Sequence, residues 1–85
     1  MNYNMAKIKV IFDLNEPDDV ISHKRFMQST DMASAMWEFK TSLWRKLKHP
    51  PDTMSDEVYE TIKEIQKEFF EILDEYNLNL DNLVQ

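Results

Sequence analysis

The first patterned stretch of the chain alternates. From Ala6 to Leu14, Ile8, Val10, Phe12 and Leu14 fall on one side, and Lys7, Lys9 and Asp13 on the other. A period of two, rich in β-branched and aromatic residues, predicts a strand over residues 6–14. Met1–Met5 read as a loose lead-in.

The period then changes. Asn15-Glu16-Pro17-Asp18-Asp19 carries the chemistry of a helix start: a capping residue, a proline tolerated in the first turn, and acids that suit the positive end of the helix dipole. A short helix is predicted to run to about Met27, with Val20, the Lys24 stem and Met27 on one side. Ser29-Thr30-Asp31 supplies a second cap, and the second predicted helix covers residues 31–48. Met32, Met36, Phe39, Leu43 and Leu47 make its stripe, widened by Ala33, Trp37 and Trp44. Pro50-Pro51 ends it. Ser55 caps a third helix whose apolar positions Val58, Ile62, Ile65, Phe69, Ile72 and Tyr76 are spaced 4, 3, 4, 3 and 4. Asn77 can take the left-handed closing position, with Leu78 folding back toward Leu73.

These elements predict one small domain over residues 1–85. It is mainly α: an N-terminal β-strand followed by three amphipathic helices, completed by dimerisation, with residues 78–85 as a C-terminal tail. The dimer enters because a lone strand leaves both backbone edges unpaired. Either the tail near Leu78-Asn79-Leu80 pairs with the strand, or a second copy does.

Composition removes several chemistries. The chain has no cysteine, which excludes disulfides and thiol nucleophiles and fits a reducing compartment. It has no glycine, which excludes the P-loop, the dinucleotide fingerprint and the EF-hand turn. No apolar run reaches the ~20 residues that span a bilayer, and Lys7 and Lys9 interrupt the one stretch that a signal peptide would need. A cytoplasmic location without membrane contact is expected. His23 and His49 have no metal-ligand spacing, so no metal and no cofactor are expected. No serine sits in a nucleophile elbow, and no carboxylate pair has the context for acid–base work. The chain is expected not to be an enzyme.

Charge then narrows the choice of surface. The net charge is −6, which disfavours bulk DNA. It is unevenly spread: residues 20–49 carry six cations against two acids, and residues 50–85 carry two against ten. On the second predicted helix, Trp37 and Trp44 lie two turns apart with Lys40 between them and Arg45 and Lys48 beyond. Rings interleaved with cations can hold an anionic ligand such as a nucleotide, or an acidic protein patch. The plainer alternative packs both rings on Tyr59 and Phe70 of the third helix, or on a second subunit. On the third helix, Glu57, Glu60, Glu64, Glu68, Glu71 and Glu75 form one acidic edge. Such an edge is a solvated face or a mimic of nucleic-acid phosphates.

Some local motifs resemble a loose group of small tailed-bacteriophage proteins. They are Phe12-Asp13-Leu14 before an acidic helix start, Ala35-Met36-Trp37-Glu38 followed by Arg45-Lys46-Leu47-Lys48, and a closing Leu73-Asp74-Glu75-Tyr76-Asn77-Leu78-Asn79-Leu80. The likeness runs over about residues 8–80 and departs at Asn15-Glu16-Pro17, where Pro-Glu-Glu is more usual. It implies an accessory protein acting in the infected bacterial cytoplasm, one that blocks or sequesters a host defence protein or nucleotide signal. It implies no catalytic residue. A replication or structural accessory with a modest nucleic-acid surface, and an acidic nucleic-acid mimic, are the alternatives. Homo-oligomerisation is expected, and specific nucleic-acid binding is not.

Overall fold

The structure is a computed structural model that describes residues 6–84. The lead-in over residues 1–5 lies outside the described residues. The element order is α1 (Pro17–Lys48), α2 (Asp56–Glu75) and α3 (Leu80–Val84). α1 and α2 form an antiparallel hairpin, and α3 folds back onto α1.

No strand occurs among the described residues, which corrects the N-terminal β-strand. The alternating segment carries no regular secondary structure over residues 6–13 and joins no ladder. Its side chains are exposed apart from the half-buried Phe12, and Ile8 is 92% exposed. Its end is anchored instead on the first turns of α1. The Phe12 ring lies 5.3 Å from His23 and 5.7 Å from Phe26, centroid to centroid. The Asp19 carboxylate accepts from the Asp13 N–H at 2.8 Å, and the Asp13 carboxylate accepts from the Asn15 N–H at 2.9 Å. These bonds turn the chain into the helix, which begins at Pro17 as expected.

The two helices predicted before Pro50 are one. α1 runs through Ser29-Thr30-Asp31 without a break for 32 residues. Ser29 does not cap; its hydroxyl donates to the Phe26 carbonyl at 2.8 Å, a bond that a helix interior accommodates. Capping residues permit a helix start but do not compel one when the flanking residues propagate the helix. α1 ends at Lys48, just before Pro50-Pro51.

α2 follows its local signals closely. The Ser55 hydroxyl accepts from the Val58 N–H at 3.2 Å. Asn77 takes φ 54°, the one positive-φ position among the described residues. The Leu78 N–H then bonds the Leu73 carbonyl at 2.9 Å, closing the helix as expected. Asn79 caps α3, accepting from the Asn82 N–H at 3.2 Å. The tail therefore packs as a helical turn instead of pairing with an extended segment.

The side of α2 that meets α1 differs from the predicted stripe. Tyr59, Ile62, Gln66, Phe69 and Leu73 are buried or half-buried, while Val58, Ile65, Ile72 and Tyr76 are exposed. Measured around the helix at ~100° per residue, the exposed four lie roughly 60–100° to one side of Leu73. Leu73 faces inward because the helix closure at Leu78 and the docking of Leu80 sit beside it. Buried side chains among the described residues are few: Leu43, Leu73 and Leu80. The radius of gyration is 18.8 Å, against about 12 Å for a compact chain of this length. α1, at about 48 Å, is longer than α2, at about 30 Å. Its N-terminal half overhangs the hairpin.

Candidate binding groove

The hairpin has two flanks, and the expected basic-aromatic residues divide between them. Trp37, Lys40, Thr41 and Trp44 of α1 line a cleft of about 240 Å³ with Gln66 and Phe70 of α2 and Asp81 of α3. Trp44 and Gln66 also line the next cleft, about 260 Å³, with Leu47, Lys48, Tyr59 and Lys63. Together these make one continuous groove. Helical spacing explains it: Trp37, Trp44 and Lys48 recur at seven and four residues and so share a side of α1. Tyr59, Lys63, Gln66 and Phe70 repeat at four, three and four along the facing side of α2.

Arg45 is not in this groove. It lines a separate hollow of about 290 Å³ with Ser42, Lys46, His49 and Pro51. One residue on from Trp44, it is turned about 100° around the helix. The structure therefore sets it apart from Trp37, Lys40, Trp44 and Lys48. Lys63, Gln66, Phe70 and Asp81 join the site from elements that the α1 pattern alone could not bring in.

Both tryptophans share their clefts with the residues that the plainer reading named, Tyr59 and Phe70. They are not consumed by packing. Trp37 is half-buried, and Trp44 is 53% exposed with the His49 ring edge-on at 6.4 Å. The Lys63 ammonium lies 5.9 Å from the Tyr59 ring centroid, a cation–π distance.

Lys40 is engaged within the chain. Its ammonium donates to the Asp81 carboxylate at 2.9 Å. That hydrogen bond, and then the lysine's charge, holds the Asp81 carboxyl below its ordinary range; slight desolvation opposes this, and a hydrogen bond with Trp37 adds to the lowering. A carboxyl depressed in the folded state stabilises the fold above its ordinary pKa, and that contribution disappears as pH falls through the folded value. The Lys40–Asp81 tie is therefore expected to weaken below about pH 4. The effect is small, because Asp81 is well exposed and such pairs are screened. Following the Asp81 carboxyl by NMR should give a low midpoint that rises in Lys40→Met. An unmoved midpoint would mean that the pair does not form in solution.

The six glutamates Glu57, Glu60, Glu64, Glu68, Glu71 and Glu75 are all exposed along the outer side of α2, away from α1. His23 stacks on Phe12 and His49 on Trp44. Among the described residues, no three His, Cys, Asp or Glu side chains gather as metal ligands would. No helix of the described residues is long and apolar enough to cross a membrane. Two larger hollows, about 430 and 440 Å³, lie beside α3. Neither brings two aromatic rings together with free cations. No protein-family model, no curated protein and no solved structure matches the chain.

Proposed function

We propose that the chain is a non-catalytic binding protein that holds an anionic ligand, a nucleotide or an acidic patch of a host protein, in the Trp37–Trp44–Lys48 groove. One observation carries the reading. The half-exposed Trp44 ring stands in a groove with two cations, Lys48 and Lys63, and among the described residues neither is in an ion pair. An indole face offers stacking area at little entropic cost, and ammonium groups beside it attract phosphates or carboxylates. Lys40 contributes less, because Asp81 already neutralises it. The negative net charge keeps the molecule off bulk nucleic acid while the local field of α1 attracts small anions.

The likeness of the local motifs to phage accessory proteins supports a role inside an infected bacterium. There such a binder would sequester a nucleotide signal or occupy a defence protein, one to one and without turnover.

Calorimetry with ATP and with a short oligoadenylate tests the reading. Stacking is typically worth about 1–3 kcal/mol per base, so Trp44→Ala should weaken binding by roughly tenfold or more. Lys48→Ala and Lys63→Ala should each weaken it and flatten its salt dependence. Arg45→Ala, outside the groove, should leave it unchanged. Equal losses at Arg45 and at Lys48 would count against the groove.

A further inference from the structure

α2 carries more apolar surface than α1 covers. Val58, Ile65, Ile72 and Tyr76 line the flank of the hairpin opposite the tryptophan groove, and Tyr76 is 71% exposed. Phe39 continues this flank on α1 and is 47% exposed, whereas Met32 lines the hollow beside α3 with Leu80 and Leu83. The Phe39 and Phe69 rings meet edge to face at 5.3 Å and bridge the two helices.

The surplus is large enough to matter. The chain exposes 7782 Å², where a compact monomer of its mass shows roughly 5,300 Å². Part of that difference belongs to the segment before α1, where Ile8 and Ile11 are 92% and 88% exposed, and to the overhanging half of α1; the flank adds Val58, Ile65, Ile72, Tyr76 and Phe39, each at least 42% exposed.

We propose that this apolar flank is the interface of a homodimer. Two hairpins stack about a two-fold axis parallel to the helices, so that α1 of one copy lies over α2 of the other. Charge selects this arrangement. Arg45 and Lys46 border the flank on α1, joined by the single acid Glu38 two turns before Arg45, and Glu64 and Glu68 border α2 on its outer side. The parallel axis brings the basic border of each copy to the acidic border of its partner. An axis across the helices would set α2 on α2, carboxylates against carboxylates. The second copy covers Ile65, Ile72 and Phe39 and leaves the tryptophan groove open on the far side. The dimer therefore stands or falls independently of ligand binding.

Sedimentation equilibrium at about 50 μM in low salt tests it. The wild-type chain should show twice its 10.2 kDa mass. Ile65→Asp with Ile72→Asp should give the monomer, with helix content retained by circular dichroism because both positions are exposed within one copy. If that variant unfolds, two exposed charge variants decide. Arg45→Glu with Lys46→Glu, and separately Glu64→Lys with Glu68→Lys, should each dimerise at least tenfold more weakly. An equal mixture of the two should regain the doubled mass, since each restores the other's pairing. A monomeric wild type, a dimer that persists in the folded Ile65 and Ile72 variant, or charge variants that fail to recover on mixing would each overturn the proposal.

Discussion

Leu73→Ala is expected to cost the fold much of its stability. Leu73 is 4% exposed and is one of three buried side chains among the described residues. It faces α1, and its carbonyl accepts the Leu78 N–H that closes α2. A buried leucine cut to alanine typically loses about 2–5 kcal/mol, the transfer term plus the cavity. A domain of this size holds only about 5–10 kcal/mol in all. The thermal midpoint should therefore fall by something on the order of 10–30 °C. Ile11→Ala is the control. That side chain is 88% exposed, and its loss should change stability by no more than about 0.5 kcal/mol. Thermal melts followed by circular dichroism measure both. Similar midpoints for the two variants would mean that the packing around Leu73 is not what holds the hairpin.

Asp31→Pro should be comparably damaging, and it discriminates between two architectures. If Ser29-Thr30-Asp31 began a separate helix, Asp31 would stand in the first turn, where proline is tolerated. In the continuous α1, Asp31 lies fifteen residues beyond the Glu16 cap, deep in the interior. A proline there removes one backbone hydrogen bond and strikes the carbonyl one turn back, at a cost of about 3 kcal/mol or more. Chemical denaturation should show that loss, and scattering should show α1 kinked. A proline variant as stable as the wild type would restore the two-helix reading.

The parts of this fold that were legible in the sequence are those decided by local chemistry. Pro17 and Pro50-Pro51 bound α1, Ser55 caps α2, and Asn77 takes the left-handed turn, each through bonds made within a few residues. Elements that depend on distant partners were not legible. The alternation over residues 6–14 looks the same whether or not another strand lies beside it. The Ser29 hydroxyl can bond forward as a cap or back to the Phe26 carbonyl, and the surrounding helix decides. On α2 the apolar residues spread over more of the circumference than one neighbouring helix can cover. The pattern marked them all as core without saying which would meet α1.

The candidate site divides along the same line. Trp37, Lys40, Trp44 and Lys48 share one helix, and their spacing alone set them on one side. Arg45 was included by nearness in sequence, and one step around the helix removes it. Asp81 is 41 residues from Lys40, so nothing near either residue announced that Lys40 would be neutralised. Lys63 sits among the glutamates of α2, and nothing near it in the sequence points to α1. Only the antiparallel return of the chain brings it beside Trp44 and Lys48.

The proposed working surface is this groove. Its most direct test is an NMR titration that watches the two indole N–H signals while ATP is added. The Trp44 signal should shift progressively and saturate at one ligand per chain, with Lys48 and Lys63 moving alongside and the Arg45 hollow still. Indole signals that stay fixed to millimolar ATP, or shifts centred on Arg45, Lys46 and His49 instead, would contradict the account.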